Sequence, residues 1–551
     1  MAEQTRTQAA ATSLQTTGDQ NAPVVIAGAG PVGLSLALGL ARRGVRSIVL
    51  EKKPALSEHS KALGILARTL EIFRAWGILD RFQEKGALLS RISVWLTQRP
   101  MPVATVDLGV LSDVTAIPGV LILPQDRTER LLLDAVRETG LAEVRFSHEV
   151  TAFRQDEAGV DVTISPAGAD TYTLRCTYLI GCDGPHSTVR QQFGWNLEGQ
   201  TYPTRMLLAD VRLTDERDSL PWPRLAPQRR GALAAVRFDA QEWRIISTLR
   251  PEETDEEALT EESLRRRVER LFGPGPYERV WSSTFRIHCR TSPHFRSRRV
   301  LLAGDAAHIN SPAGGQGMNS GIQDAHNLAW KLANALRGGD AEVLLESYEQ
   351  ERRSVVIGSI DRYTDLLTRY VLLGPPVVRT PLLWLMQKAI RSPFFVKRLG
   401  IRAMMLDVRY TRSAILAGGG PLVGQRAPDG EVVDAGGKRL RLLDLAKREA
   451  VLVIFSDGQT PEQIDAVEKA LADIAGLRVI CLVPDAAAMR EGALHDAGGG
   501  LRRRWGVKAE TAALLRPDGH VGWIGTISSA EAVRAGVERA LGLTRHDSEH
   551  A

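Results

Sequence analysis

Apolar residues along this chain recur with two periods, and the switches between them outline its organisation. Val24-Val25-Ile26-Ala27 and Ser47-Ile48-Val49-Leu50 are short unbroken apolar runs, as expected of strands buried on both faces. Between them the apolar positions fall at helical spacing from Pro31 to about Arg43. Pro31 suits the first helical position and Gly44 closes the helix. The alternation continues to about residue 195, with a helix predicted from about Arg127 to Thr139 and strands at Val160–Ile164 and Tyr178-Leu179-Ile180. From about 200 to 290 the spacing shortens. Leu207–Leu213, Leu233–Phe238 and Arg244–Leu249 predict an antiparallel sheet with one covered face, beside a helix near Glu261–Phe272. The α/β pattern resumes at Arg299, so this β-rich stretch reads as an insertion.

Helices are expected from 317 to about 413, followed by a Gly- and Pro-containing linker at Leu416–Gly430. A small α/β unit comes next. Its expected elements are strand Val451–Phe455, helix Pro461–Ala475, strands Leu477–Val483, Thr511–Leu515 and Val521–Ile524, and helix Ser529–Leu541. There is no internal repeat. At 551 residues the chain exceeds a single core, and two or three domains are expected.

Charge narrows the function. Seventy Lys and Arg stand against 65 Asp and Glu, a net of +5. The dense triplets Arg265-Arg266-Arg267 and Arg502-Arg503-Arg504 sit on or beside expected helices and read as solvated faces, so nucleic acid is not indicated. Cys176, Cys182, Cys289 and Cys481 show no C-x-x-C or metal-ligand spacing, which fits a reducing cytoplasm and no bound metal. Residues 1–22 lack an apolar h-region and read as a disordered leader. No run of 18 apolar residues occurs, so no transmembrane helix is expected. Tyr370 to Met405 is apolar and basic, broken by Pro375, Pro376, Pro381 and Pro393. It reads as short helices packed on the main body in preference to a membrane-surface element.

Two glycine-rich turns carry the chemistry. Gly28, Gly30 and Gly33 form G-x-G-x-x-G between a strand and a helix, and Glu51 follows about 20 residues on. Gly28 permits the turn, Gly30 lets backbone approach a pyrophosphate, Gly33 allows helix–strand packing, and Glu51 accepts ribose hydroxyls. The alternative is a glycine-rich junction without a ligand. The second turn, 304–331, reads GDAAHINSPAGGQGMNSGIQDAHNLAWK after the apolar run Val300-Leu301-Leu302-Ala303. A strand, a glycine-rich turn and a helix N-terminus present bare N–H groups to a polar or anionic cofactor.

With Gly181-Cys182-Asp183-Gly184-Pro185-His186-Ser187 and Val189-Arg190 between them, these motifs resemble the single-component FAD-dependent aromatic hydroxylases, the group A flavoprotein monooxygenases. The match spans about 23–350. Gly64 to Glu71, including Arg68, and Leu123-Pro124-Gln125 also fit, while Lys61 stands where the family often has arginine. The C-terminal unit is similar to the thioredoxin-like domain of the phenol-hydroxylase branch, with Arg516-Pro517-Asp518-Gly519 and Trp523 in its last hairpin. No cysteine pair follows Val451–Phe455, so thiol–disulfide exchange is excluded and a packing or dimerisation role remains.

The resemblance implies a Rossmann-like FAD-binding domain (23–195 and 291–415, the latter with a helical extension), an inserted β-sheet substrate domain (196–290) and a thioredoxin-like C-terminal domain (416–545). It implies bound FAD, held by Gly28, Gly30, Gly33, Glu51, Lys52, Arg68, Gln125, Asp183, Asp305, Pro312, Gly315, Gln316, Gly317, Met318 and Asn319. NADH or NADPH serves as a transient donor, and reduced flavin takes up dioxygen as a C4a-hydroperoxide that hydroxylates a phenolic or polycyclic aromatic ring. The Pro312 carbonyl would orient the oxidant. A homodimer is among the expected assemblies. His308 follows directly on the flavin-packing motif and reads as structural in preference to a base. Tyr202, Asp210, Arg237 and Glu242 are candidates for phenol deprotonation, each more readily read as structural. Epoxidation or oxidative ring opening of a natural product on the same scaffold stays open, as does a non-catalytic flavin-binding interaction protein.

Overall fold

Why the first apolar runs pair as they do is visible in the computed structural model, which describes residues 22–58, 62–228, 231–447, 449–457, 461–484, 492–496 and 499–543. The expected leader, apart from Ala22, and Lys61 lie outside the described residues. Val24–Ala27 pairs in parallel with both Ser47–Glu51 and Tyr178–Gly181, and all but Glu51 of these residues are buried. Stripped of polar side chains, such strands are stable only when covered on both faces. Val300–Leu302, Arg296–Ser297 and Ala142–Phe146 complete a six-stranded sheet. Helices Pro31–Ala41, Gln125–Arg137 and Gly317–Leu336 pack with it.

The β-rich region is an eight-stranded sheet in the order His308–Ile309, Tyr277–Thr291, Glu198–Leu213, Glu242–Thr248, Leu233–Asp239, Arg224–Leu225, Arg91–Leu96, Ala104–Asp107. It is therefore not built from 196–290 alone. Arg91–Leu96 joins by parallel pairing with Arg224–Leu225, a non-local contact that local spacing does not reveal. Helix Glu261–Phe272 covers one face, burying Leu264, Val268, Leu271 and Phe272 against Trp243 and Ile245.

The stretch expected as a linker is not free. Ala417–Gly418 forms an edge strand on Val521–Thr526, and Gly424 donates to the Val521 carbonyl at 2.8 Å. The C-terminal sheet is mixed: Ala450–Phe455 runs parallel to Leu477–Val483 and antiparallel to Thr511–Leu515. This unit is fastened to the first by buried charge. Arg516 reaches both Glu351 oxygens, at 2.6 and 2.8 Å, and Lys331 reaches Glu351 at 2.8 Å, all three ionic groups being fully enclosed. The Asp518 carboxylate accepts from Asn327 and Trp330 as well as Arg516. A packing role for the C-terminal unit is thus built into the chain.

Helices Pro376–Ala389 and Pro393–Ala403 are short, as expected, but packed on one side only. Val377, Trp384, Leu385, Phe394 and Phe395 are exposed. No helix of the described residues is long and apolar enough to cross a membrane.

Candidate active site

The two glycine turns, the Asp183–Gly184 loop and the roof sheet converge on one cavity of about 1710 Å³. The sequence builds its floor by close approach. Gly28 has φ +103°, and a Cβ there would lie 2.4 Å from the Cys182 carbonyl oxygen. A Cβ at Gly33 would lie 2.0 Å from the Gly28 carbonyl, so that glycine serves packing and does not line the cavity. Glu51 caps the turn from the end of its strand: one carboxylate oxygen accepts from Ala29 N at 2.9 Å, the other from Lys53 N at 3.0 Å.

The lining suits an extended anionic dinucleotide. Gly30 lines the cavity, and a methyl there would meet no atom within 4 Å, leaving open room beside bare backbone at a helix N-terminus. Asp183 also lines it. Its Oδ2 accepts from Val189 N at 3.2 Å, while Oδ1 is buried with no hydrogen-bond partner among the described residues. Burial pushes this carboxyl up from the ordinary aspartate range, against hydrogen bonds from Ser187 and nearby backbone. A donor group of a bound molecule would relieve that orphaned oxygen. FAD, with its ribityl hydroxyls and ring N–H, fits such a lining.

Lys52, Gln125, Asp305, Pro312, Gly315, Gly317 and Met318 line the same cavity. Gln125 accepts from Ala62 N at 3.3 Å and donates to Glu129 at 2.9 Å. The Pro312 carbonyl accepts from Gly315 N at 3.0 Å and so closes the loop on itself. Besides Gly33, three expected cofactor ligands stand elsewhere. Arg68 is buried away from the cavity, donating to the Asp518 carbonyl at 2.6 Å and to Glu71 at 3.1 Å. Gln316 is buried behind the loop. Asn319 is a staple: Oδ1 accepts from Leu66 N at 2.9 Å, and Nδ2 donates to Gly64 and Gly315 carbonyls at 3.0 and 2.8 Å. For Arg68 and Asn319 a neighbouring backbone group or carboxylate supplies the partner.

The four candidates for phenol deprotonation do not line the cavity. Tyr202 bonds Asp365, Arg237 pairs with Asp218, Glu242 with Arg212, and Asp210 holds Arg244 through two bonds of 2.8 Å. Arg244 itself is not among the residues that the motifs single out. It lines the cavity at 1 % exposure, beneath apolar Leu208, Leu233 and Ile246. Its signal is an arginine flanked by apolar Trp243 and Ile245 in strand Glu242–Thr248. Nor do the motifs single out Asp324, a carboxylate on the buried face of helix Gly317–Leu336. It accepts from Gly304 N at 3.0 Å, His308 Nε2 at 2.7 Å and Arg352 at 2.7 Å, and so anchors the second glycine turn. His308 is fully engaged there, its Nδ1 lying 2.9 Å from Asn310. Arg190 bridges the two loops, donating to the carbonyls of Pro185 and Ala306 at 2.8 and 2.9 Å.

Residues 21–362 match the family described as FAD binding domain, and residues 420–543 match that described as Aromatic-ring hydroxylase, C-terminal. The chain is 35 % identical over 517 residues to 12-dehydrotetracycline 5-monooxygenase/anhydrotetracycline 6-monooxygenase of Streptomyces rimosus, covering 91 % of this chain and 94 % of the relative. It resembles the structure of an anhydrotetracycline hydroxylase from Streptomyces rimosus with a TM-score of 0.75 at 32 % identity, covering 95 % of this chain and 99 % of that one. A ternary complex of aklavinone-11 hydroxylase with FAD and aklavinone gives a TM-score of 0.80 at 25 % identity, with 94 % and 99 % covered.

Proposed function

The chain belongs to the FAD-dependent aromatic-ring monooxygenases, and on that premise we propose that its substrate is a fused-ring phenolic natural product. The enzyme is a flavoprotein oxidoreductase using NAD(P)H and dioxygen, as is general for this family. One observation carries the substrate reading: the cavity of about 1710 Å³ runs without a break from the glycine turn to the roof. Pockets for a single drug-sized ligand span roughly 300–1,000 Å³, so this one has room for FAD and a multi-ring compound together. The relatives named for tetracycline and aklavinone chemistry point the same way.

Bound FAD would supply the oxidising equivalent drawn from dioxygen after reduction by the donor. The chain's part is to place and protect. In this reading Gly28, Gly30, Glu51 and Lys52 hold the ADP half, while Gln125, Asp183 and Asp305 hold the ribityl region. Gly315, Gly317 and Met318 lie along the ring, with the Pro312 carbonyl beside it. Gly33, Arg68, Gln316 and Asn319 support these groups from behind. Leu208, Leu233 and Ile246 exclude water from the reacting ring, which limits wasteful decay of the oxidant. Arg244, fixed by Asp210, offers its guanidinium to an oxygen of the phenolic substrate and orients the ring. None of Cys176, Cys182, Cys289 and Cys481 forms a disulfide, which supports a cytoplasmic setting. A homodimer through the C-terminal unit belongs to the same proposal and rests on the family resemblance alone; light scattering reads it.

The test is to load the protein with FAD, supply NADH or NADPH in air, and follow donor oxidation with single-ring phenols against tetracyclic phenols. Tetracyclic compounds should accelerate donor oxidation and gain one oxygen by mass spectrometry. Acceleration and oxygen transfer confined to single-ring phenols would overturn the substrate assignment.

A further inference from the structure

Helix Pro376–Ala389 has two faces with different duties. Inward, Arg379 donates to the carbonyls of Gly231 and Gln228 at 2.7 and 2.6 Å, and with Leu383 it lines the cavity. Outward, the helix and its neighbour Pro393–Ala403 present bulky apolar side chains to solvent. Val377 is 81 % exposed, Phe394 67 %, Trp384 59 %, Leu385 59 % and Phe395 53 %. Single exposed apolar residues need no explanation, but five bulky ones on two consecutive helices mark an interaction surface.

The charge around it selects the partner. From residue 366 to 406 the chain holds seven lysines and arginines and no aspartate or glutamate. Arg369, Lys397 and Arg402 pair with Asp365, Asp113 and Asp407 and Arg379 faces inward, so the outward charge is that of Lys388, Arg391 and Arg398. Arg391 and Arg398 are exposed, and Lys388 lies 5.3 Å from the Trp384 ring centroid. A two-fold contact between copies would set this cationic patch against itself. An anionic bilayer offers both an apolar interior for the aromatic and aliphatic side chains and negative headgroups for the basic ones. Lysine and arginine stems can lie along the apolar layer while their charged ends reach the headgroups. The longer helix has 14 residues, about 21 Å at 1.5 Å per residue, against a hydrocarbon core of about 30 Å. It can lie on a membrane and cannot span one.

We propose that the helical pair Pro376–Ala389 and Pro393–Ala403 docks this enzyme on the surface of an anionic phospholipid bilayer. Because the same helix walls the cavity, a lipophilic ring compound could pass from the bilayer to the cavity mouth with little exposure to water. That route rests on the proposed function, whereas the docking does not.

Flotation of the full-length holoenzyme with vesicles tests the docking. Vesicles of phosphatidylcholine mixed equally with phosphatidylglycerol should carry about tenfold more protein to the top than phosphatidylcholine alone, with the excess lost at high salt. Replacing Trp384, Phe394 and Phe395 together by serine should abolish flotation while FAD stays bound. A second variant, Lys388→Gln with Arg391→Gln and Arg398→Gln, alters exposed side chains only and should erase the preference for anionic vesicles. Wild-type protein left at the bottom with anionic vesicles, or variants that float as it does, would overturn the proposal. So would a wild-type dimer that the triple serine variant converts to monomer, because the patch would then be a protein contact. Donor oxidation stimulated by a tetracyclic phenol without vesicle binding refutes the docking alone. Vesicle binding with no stimulated oxidation refutes the proposed function alone.

Discussion

Two buried histidines, each close to an aspartate, respond to their surroundings in opposite senses. His308, beside the second glycine turn, faces Asp324 at 2.7 Å and Asn310 at 2.9 Å. Burial alone would lower its pKa, but the contacts with Asp324 and Asn310 outweigh burial and leave it raised. His520, at the contact between the two units, stands 3.5 Å from Asp518. Burial lowers it to about 4, with Arg68 and Arg516 adding to that fall. The aspartates differ in what remains to be shared. Asp518 is occupied by Arg516, Asn327 and Trp330, so the His520 ring rests on Tyr410 with neither nitrogen hydrogen-bonded among the described residues. Asp324 outweighs burial at His308, whereas at His520 Asp518 opposes burial without overcoming it.

The two sites share one helix. Asp324, Asn327 and Lys331 lie along one stripe of Gly317–Leu336. Its first part braces the cofactor loop and its later part holds the C-terminal unit. Arg516→Ala should give the largest effect, about 3–5 kcal/mol of lost stability, because Glu351 and Asp518 would stay buried without their main cation. Urea unfolding should then separate into two transitions; a single unchanged transition would refute the fastening role. Asp324→Ala should cost about 3 kcal/mol by leaving Arg352 unpaired, and here FAD retention should fall as well. Full FAD occupancy at the wild-type unfolding midpoint would remove Asp324 from the loop's support.

The histidines sharpen the comparison through pH. With its folded pKa lowered, His520 contributes stability above the ordinary value near 6.5, and that contribution is lost as pH falls from there towards about 4. His308 has the opposite sign: its contribution is complete below 6.5 and is lost as pH rises through its raised folded value. His520→Phe should therefore flatten the acid side of the stability curve by about 1–3 kcal/mol, measured as unfolding midpoint from pH 7 to 4.5. Parallel curves for the variant and wild type would contradict this. The smallest effect is expected from Asn319→Ala, about 1–2 kcal/mol, since Leu66 N loses its acceptor. A severalfold rise in the FAD dissociation constant should accompany it, and unchanged affinity would confine Asn319 to packing.

Much of the architecture was legible because it is locally encoded. The Val24–Ala27 strand, the Gly28–Gly33 turn and Glu51 sit in one short stretch whose order dictates their proximity. A helix stands at Glu261–Phe272, where one was expected nearby. Three kinds of feature escaped. The roof's strands at Arg91–Leu96 and Ala104–Asp107 joined through a distant partner. The Leu416–Gly430 segment looked like a linker because glycine and proline carry the same local signal whether or not an edge strand waits nearby. Arg68, Gln316 and Asn319 match motif positions, yet Arg68 and Asn319 turn to partners away from the cavity and Gln316 is buried outside its lining.

By itself the sequence determined the oxidant: two glycine turns, an acidic residue at a strand end and an Asp-Gly loop specify where a flavin dinucleotide can lie, because backbone approach depends on residue type at fixed spacing. Only the tertiary structure decided which polar residues reach that cavity, since a side chain goes to whichever partner folding places within hydrogen-bond distance. It put Arg244 at the wall, withdrew Arg68 to the domain contact, and left the Trp384–Phe394 surface uncovered. Those outcomes depend on contacts between residues far apart in the chain, which local spacing does not encode.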